Sequence, residues 1–410
     1  MTPGAGVVVV GGGVAGSGAA LSAARAGARV TLVDAGAGAS TLWTGALDPA
    51  DPPPDEVRVV AASLGVVLGS GAVATTAGLV RRVSGREAAI LDLAPLLVDH
   101  GDRAVGVVRC ERPGWDADAL VRAAGGGLFA IDATILRLAD ERLVPDADFA
   151  ARHDDEGRLG WLSDRLREGA ARARRSLHAL LLPPSLGLDR ARASELSERV
   201  HVPCGEATAM PGGPAGLRFE RARDRALASA GVTVVQGRAV CVEAAAGAAE
   251  RWRVCLEDRE LEADAVVLAA GGLVGGGLVY QPSEAILSST LPPTARVAFR
   301  CGLEAPVRIG AHGKPWGVPG SLFGVAPESI AWPLSRDRLM DRVGILCDGG
   351  GRAAARLYAA GEIVADAPRT WLAALEGGVR AGAAAAHDAG GVKAPAARPS
   401  SRAAAPASRP

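Results

Sequence analysis

A glycine-rich turn between a strand and a helix near the N-terminus constrains the fold of this chain most. Val7 to Val10 is a continuous β-branched run, typical of a parallel strand buried on both faces. Gly11 to Gly16 then match the spacing GxGxxG, and a small-residue helix follows to about Ala26. Arg29 to Val33 predicts a second strand, with Asp34 at its end. This order of strand, turn, helix, strand and acid is typical of a dinucleotide-binding βαβ unit.

Each position of this fingerprint has a physical role. Gly11 permits the tight turn out of the strand, and Gly13 lets the backbone approach a pyrophosphate. Gly16 and Ala20 allow close packing of helix on strand, and Asp34 is placed to accept hydrogen bonds from an adenosine ribose. Because the chain has 54 glycines, glycine motifs arise by chance, and Asp34 at its set distance distinguishes this one. The expected cofactor contacts of this segment are Gly11, Gly13, Val14, Ala15, Gly16, Asp34 and Ala35.

Composition excludes several classes of protein. With 49% hydrophobic and 22% charged residues, the chain can bury a large core. Its 45 basic and 45 acidic residues balance, which removes the bulk electrostatic case for binding nucleic acid. No basic region precedes the apolar run at Val7, so we expect no secretory signal and a cytoplasmic location. Residues 59–80 carry no charge, but their small residues favour a buried helix followed by a loop or strand over a membrane span.

The six cysteines bear on redox chemistry and metal binding. No CxxC spacing occurs, which argues against an iron–sulfur cluster, a structural zinc site or a thioredoxin-like pair. Cys241 and Cys255 are the closest two in sequence. We therefore expect free buried thiols in a reducing compartment, and no metal.

Three later segments bear on the choice of cofactor, since the fingerprint serves NAD and FAD alike. Ala263 to Gly272 reads as a buried strand with a small-residue turn, which lets the chain pass close to a bound nucleotide. Arg356 to Ile363 has the sequence RLYAAGEI, and a helix is expected to open around Glu376 to Val379. Gly275 to Gly277 has neither the spacing nor the helix of a second fingerprint, so no separate NAD(P)H domain is expected.

At these points the sequence resembles the two-dinucleotide-binding-domain flavoproteins. The resemblance implies that the fingerprint holds the FAD diphosphate and that the flavin is bound non-covalently, because Ser40 to Asp48 lacks a His-Thr attachment pair. The further contacts that it implies are Val240 at the adenine, Ala270 and Gly271 beneath the nucleotide, Gly361 and Glu362 at the ribityl chain, and Gly378 and Val379 in a helix N-terminus that faces the flavin carbonyl.

The fold class predicted is α/β. We expect a Rossmann-like FAD-binding domain with a parallel sheet and a β-meander, built from discontinuous segments, plus an inserted α+β cap or substrate domain. The expected boundaries are 1–85, 205–280 and 336–390 for the FAD-binding domain, 86–204 for a helical cap or substrate region, 281–335 for the second segment of the cap or substrate region, and 391–410 for a disordered tail.

Four segments resemble, more narrowly, the B-type subunit of anaerobic glycerol-3-phosphate dehydrogenase. They are Ser40 to Asp48 (STLWTGALD), Gly213 to Arg218, Gly272 to Leu278 and Phe323 to Pro333 (FGVAPESIAWP). The sequence departs from the family near its end, where the family's Gly-Tyr-Asp-Pro and its cysteine are missing. Members of the family are described with FMN, but the fingerprint acid would have no ribose to hold in FMN, so FAD is favoured and FMN stays possible. The segment adds Ser40, Thr44 and Gly45 to the expected cofactor contacts.

This resemblance implies oxidation of sn-glycerol 3-phosphate to dihydroxyacetone phosphate. A hydride would leave C2 for flavin N5 while a base takes the hydroxyl proton. The candidates for the base are His312 and then His201, and Arg300 is a candidate catalytic arginine. For the substrate phosphate, arginine suits through its bidentate fork, with lysine as a point charge. The phosphate candidates are Arg218, Arg296 and Lys314, with Arg300 beside them.

The resemblance also implies partners. With no iron–sulfur spacing, reduced flavin must pass its electrons to another protein. The implied complex has a flavoprotein subunit that carries the main catalytic site and a membrane-docked iron–sulfur subunit that serves quinone. This chain would then lie on the inner face of the cell membrane only through those subunits. Two alternatives stay open: an enzyme of the fumarate-reductase or ketosteroid-dehydrogenase type, and a non-catalytic electron-transfer or assembly subunit.

Overall fold

The computed structural model describes most of the chain. The described residues are 6–97, 104–124, 126–173, 175–245, 251–282, 301–304, 307–311, 314–315 and 344–390. The tail expected at 391–410 and most of the cap segment expected at 281–335 lie outside them.

The described residues form twenty strands and nine α-helices. The strands are β1 (Gly6–Val10), β2 (Arg29–Asp34), β3 (Ala46–Leu47), β4 (Val66–Ala74), β5 (Val80–Glu87), β6 (Ala104–Val108), β7 (Leu128–Ile131), β8 (Leu177–Leu182), β9 (Cys204–Glu206), β10 (Thr233–Gln236), β11 (Ala239–Ala244), β12 (Trp252–Leu256), β13 (Glu260–Ala263), β14 (Ala265–Leu268), β15 (Val279–Pro282), β16 (Cys301–Glu304), β17 (Arg308–Ala311), β18 (Lys314–Pro315), β19 (Arg352–Ala354) and β20 (Leu357–Ala359). The α-helices are α1 (Val14–Arg25), α2 (Asp55–Ser63), α3 (Ala94–Leu97), α4 (Ala117–Ala124), α5 (Asp146–Arg152), α6 (Glu156–Arg172), α7 (Ala193–Val200), α8 (Pro214–Ser229) and α9 (Trp371–Ala389).

A six-stranded sheet of order β10-β2-β1-β14-β20-β19 forms the centre of the molecule. All its neighbours pair in parallel except β19 with β20. Val7 and Val9 of β1 lie in the core beneath α1 and α9, whereas Val8 and Val10 pack on the opposite side with strands β11 to β13. Because successive side chains of a strand point to opposite faces, an unbroken valine run is what this three-layer arrangement requires. The predicted α/β Rossmann-like fold is confirmed, with its β-meander.

Helices α1 and α9 cross closely on one face of this sheet. A Cβ atom at Gly378 would collide with the backbone carbonyl of Ala15, and one at Gly382 with the carbonyl of Ala19. The small residues of both helices therefore bring the two backbones together, and Val379 lies buried in the same interface.

The inserted segment contains a second parallel sheet rather than helices alone. Its order is β7-β6-β8-β9, and all three pairings are parallel. Apolar clusters cover both of its faces. The helical spacing of α6 was visible in the sequence, but β6, β7 and β9 have only three to five residues and were not. Strands β3, β5 and β4 form a small antiparallel sheet before this unit.

Two expectations about individual segments meet different outcomes. The uncharged stretch 59–80 forms the end of α2 and then β4, as predicted. Among the described residues, no helix is both long and apolar enough to cross a bilayer. The expectation of free cysteines is wrong for one pair, because Cys241 and Cys255 form a disulfide between β11 and β12. Sequence spacing did not reveal it, since the pairing depends on the register of the two strands.

Candidate functional site

A cavity of about 750 Å³ opens at the carboxyl ends of β1, β2 and β14. Ligands of doubly wound α/β sheets bind in the crevice outside the carboxyl ends of the strands, and the volume is in the range of small-molecule sites. Its wall consists of residues 10–15, 33–40, 42–43, 236–239, 257, 269–271, 274–276, 307, 361–362, 370–371 and 374.

The fingerprint glycines form one end of this cavity. Gly11 has φ +112°, and a Cβ there would collide with the carbonyl oxygen of Ala269, the residue that directly follows β14. A Cβ at Gly16 would collide with the carbonyl of Gly11, so this glycine serves packing beneath the site. At Gly13, in contrast, no atom lies within 4 Å of where a Cβ would stand. Gly13 precedes α1 and borders the cavity, so a pyrophosphate can approach the free N–H groups of the helix there.

Asp34 borders the same end of the cavity and is only 4% exposed. Its Oδ1 accepts the N–H of Gly36 at 3.1 Å, and its Oδ2 lies 3.5 Å from a guanidinium nitrogen of Arg223. Arg223 also donates to the carbonyl oxygen of Gly12 at 3.0 Å. Sequence reasoning missed Arg223, which α8 brings in from the second segment of the domain. This arginine fixes the acid and the fingerprint turn relative to each other.

Two tryptophans form the opposite end of the cavity. The rings of Trp43 and Trp371 stack with centroids 5.2 Å apart, and Phe219 packs edge-on against both. Trp371 is the first residue of α9, whose N-cap Thr370 accepts the N–H of Ala373 at 3.2 Å. This end of the cavity therefore combines an aromatic wall with the N-terminus of a long helix.

The N-terminus of α9 is not at the residues that the sequence pattern predicted. Gly378 and Val379 were expected there, but α9 begins at Trp371 and both residues lie inside the helix, packed on α1. The signal for the true start was present, because Thr370 is a good N-cap before an apolar helix. The prediction for Gly378 and Val379 is corrected to residues 370–374, of which Thr370, Trp371 and Ala374 border the cavity.

Two polar atoms on the cavity wall lack hydrogen-bond partners. The hydroxyl of Ser40, a residue only 7% exposed, and the indole N–H of Trp371 are both buried and unpaired. Buried polar groups are nearly always paired, so these two have the character of groups that await a polar ligand. Together with the open space at Gly13, they make the cavity fit a long ligand with a phosphate at one end and a polar ring at the other.

The remaining expected contacts divide into two sets. Ala15, Ala35, Ala270, Gly271, Gly361 and Glu362 border the cavity, as do Val14 and Ser40. Thr44, Gly45 and Val240 do not. A Cβ at Gly45 would lie 2.5 Å from Ile90 and 2.9 Å from Ala215, so this glycine belongs to the packing between units. Val240 lies where the β11–β12 register shifts, directly after the lining residues 236–239.

Arg218, expected as a phosphate ligand, lies in a buried ion cluster instead. Its guanidinium, 2% exposed, is 2.6 Å from Glu206 and 2.8 Å from Glu87, and it donates to the carbonyl of Gly187 at 2.7 Å. Burial raises the pKa of Glu206, which the cation opposes. Because both terminal nitrogens of Arg218 already donate to protein oxygens and water has no access, this residue holds α8 to β5 and β9 rather than binding a substrate.

The expected bases and the other cations lie elsewhere. His201 is exposed, has φ +64° and caps the C-terminus of α7, away from the cavity. His312, Arg296 and Arg300 lie outside the described residues, as does the side chain of Lys314 in β18. One trio of metal-type donors occurs in the described part of the chain, Cys241, Glu243 and Cys255, but the cysteines are bonded to each other and the glutamate pairs with Arg253.

A family model described as FAD binding domain matches residues 6–64. That segment contains β1, the fingerprint, α1, β2 and Asp34, which together form the phosphate and ribose end of the cavity. The cofactor of the chain is therefore FAD. No curated protein matches the sequence.

Several solved structures are similar at low sequence identity. The flavoprotein/dehydrogenase from Cytophaga hutchinsonii is 12% identical with a TM-score of 0.37, over 95% of this chain and 80% of that one. The Sdh1 complex of Mycobacterium smegmatis in its apo form is 14% identical with a TM-score of 0.33, over 95% and 69%. The L-amino acid deaminase from Proteus myxofaciens is 14% identical with a TM-score of 0.26, over 69% of this chain and 51% of its own. This chain spans 33% to 51% of the length of that deaminase and of three further structures.

Proposed function

We propose that this chain is a FAD-dependent oxidoreductase whose flavin ring lies at the Trp43–Trp371 end of the cavity. The observation that carries the proposal is the shape of the cavity: the fingerprint and Asp34 form one end, and the N-terminus of α9 forms the other. When bound, FAD supplies hydride or electron transfer at its flavin ring.

The residues of the chain then have separate roles. The N–H groups at the start of α1 bind the pyrophosphate, and Asp34 accepts hydrogen bonds from the ribose. Glu362 borders the middle of the cavity, where it can bind hydroxyls of the ribityl chain. The N-terminus of α9 carries a partial positive charge and would favour negative charge on a flavin ring bound at that end of the cavity. The stacked tryptophans exclude water from that end.

For the substrate we propose sn-glycerol 3-phosphate, oxidised to dihydroxyacetone phosphate. The support is the ordered set of segments shared with the B-type subunit of anaerobic glycerol-3-phosphate dehydrogenase. Among the described lining residues, Arg238 is the one arginine or lysine, and it lies on the adenosine side with residues 236–239. We therefore propose that the substrate phosphate binds to Arg296, Arg300 and Lys314, and that His312 accepts the hydroxyl proton.

We propose partners for the electrons as well. The sequence has no iron–sulfur spacing, so electrons would pass to a flavoprotein subunit and a membrane-docked iron–sulfur subunit that serves quinone. That complex would hold this chain at the inner face of the cell membrane.

Anaerobic titration of the FAD-loaded chain tests the substrate. Glycerol 3-phosphate is expected to bleach the visible absorbance of the oxidised flavin, and the substitution Arg300→Met should weaken this response while Arg221→Met, at an exposed position of α8, should not. Bleaching by succinate or a steroid but not by glycerol 3-phosphate would reject the substrate. Bleaching only by a reduced partner protein would show an electron-transfer subunit instead. Release of the cofactor by heat, followed by measurement of its mass, distinguishes FAD from FMN.

A further inference from the structure

A disulfide lies next to the adenosine side of the cavity, two residues from lining residues in each of its two strands. Cys241 in β11 and Cys255 in β12 are directly opposite each other in the antiparallel pair, with Cα atoms 5.0 Å apart. That separation is within the range of native disulfides. Both residues are half-buried, so the pair is not enclosed in the core.

Both strands lead from this disulfide to residues that line the cavity. Ala239, two residues before Cys241, is the last of the lining residues 236–239, and Glu257, two residues after Cys255, also lines it. Leu256 packs on the lining residue Gly237, 3.1 Å from where a Cβ there would stand. The disulfide thus joins the two pieces of chain that form this wall.

The ladder between the two strands is irregular at the same place. The register of β11 with β12 shifts between Ala239 and Cys241, so regular pairing is interrupted between the disulfide and the cavity. An interrupted ladder holds its strands less firmly, and local opening of such a segment costs less than global unfolding. The covalent bond compensates for the interruption.

We propose that Cys241 and Cys255 are a reversible thiol–disulfide site that sets the affinity of the chain for FAD. The proposal rests on FAD binding in this cavity. With the bond closed, residues 236–239 and Glu257 stay together and the adenosine wall is preformed. With the bond open, the wall separates in part, and binding must first bring it back together.

The exchange balances with a low-molecular-weight thiol as reductant. Its thiolate attacks one cysteine sulfur and releases the other as a thiolate, which leaves a mixed disulfide. A second thiolate then attacks the reagent's sulfur in that mixed disulfide and releases the remaining cysteine. Two electrons and two protons end on the two cysteines, and the reductant leaves as its own disulfide. Oxidised glutathione reverses both steps.

Three cysteines whose side chains the structure describes, Cys110, Cys204 and Cys347, are poor competitors for this exchange. Burial raises the pKa of Cys110 and of Cys204 to about 12 and that of Cys347 to about 11. Thiols that stay protonated attack disulfides slowly, because the thiolate is the nucleophile. None of these three thiols is therefore a ready nucleophile for rearranging the bond between Cys241 and Cys255.

The test compares the full chain in two redox states, prepared with oxidised glutathione or with dithiothreitol that is then removed without air. Titration of the native chain with a chromogenic disulfide reagent is expected to detect two more reactive thiols after reduction than before it. Equilibrium dialysis is expected to show FAD binding about 5-fold or more weaker in the reduced state, a typical size for coupling between two sites. Reoxidation should restore both values.

The matched variants separate the site from general effects of reductant. The double substitution Cys241→Ser with Cys255→Ser should show the weaker affinity in both conditions, whereas Cys347→Ser should respond as the unsubstituted chain does. Equal FAD affinity in the two redox states overturns this proposal and leaves the proposed function intact. Absence of FAD binding in both states overturns the proposed function together with this inference.

Discussion

The substitution Arg218→Met distinguishes a structural cation from a substrate ligand. The guanidinium of Arg218 lies between Glu87 and Glu206, at 2.8 Å and 2.6 Å, in a site closed to water. Methionine fills similar space but leaves two carboxylates buried without their cation. Removing one partner of a buried ion cluster costs about 3–5 kcal/mol in the free energy of unfolding.

A matched control lies one turn further along the same helix. Arg221 pairs with Asp189 at 3.4 Å, and its side chain is 47% exposed. An exposed pair contributes about 0–1 kcal/mol, so Arg221→Met should change the melting temperature little. For Arg218→Met we expect a melting temperature about 3–6 °C lower, because the loss is divided by an unfolding entropy of about 0.9 kcal/mol/K for a chain of this length.

The pH dependence of this loss follows from the buried carboxyl group of Glu206. Burial already raises the pKa of Glu206, and without the opposing cation this pKa rises further above its value in the unfolded chain. A carboxyl group with a raised pKa stabilises the fold least at high pH, so the deficit of Arg218→Met should be smaller at pH 5 than at pH 8. Differential scanning calorimetry of both variants at the two pH values measures this. A variant with an unchanged melting temperature and a weakened response to glycerol 3-phosphate would refute the structural role and restore Arg218 as a phosphate ligand.

Three further predictions concern the FAD site and the core. Asp34→Ala should weaken FAD binding about tenfold, because a charge-assisted hydrogen bond to the ribose is lost. Equilibrium dialysis measures this, and FMN binding should stay unchanged. An equal loss of affinity for both flavins would contradict the role of Asp34 at the ribose. Gly378→Val should lower the melting temperature, because a Cβ at this position meets the backbone of Ala15. At Gly377 the nearest atom to a Cβ is 3.6 Å away, so Gly377→Ala should be tolerated. Equal melting temperatures for the two variants would argue against the close crossing of α1 and α9. Burial lowers the pKa of His153 to about 4, so the free energy of unfolding should fall by about 3 kcal/mol as the pH falls from 6.5 to 4. In urea titrations, His153→Gln should flatten this part of the plot of unfolding free energy against pH. Parallel plots for the variant and the unsubstituted chain would show that His153 does not titrate there.

The sequence by itself was sufficient for the features whose physics is local. The turn at Gly11, the open approach at Gly13 and the acid at the end of β2 depend on residues close together in the chain. Their spacing therefore predicted a dinucleotide site, and the family match over residues 6–64 agrees with FAD. The N-terminus of α9 is also a local feature, because Thr370 immediately precedes it and caps it.

Tertiary structure alone decided the contacts between distant parts of the chain. Arg218 meets a carboxylate 131 positions away, Trp371 stacks on Trp43, and Cys241 meets Cys255 through a shifted strand register. No local pattern contains these pairings, because they depend on how helices and strands from three separate segments pack. Local spacing thus determined which kind of ligand this chain binds, and long-range packing determined which charges, rings and thiols surround it.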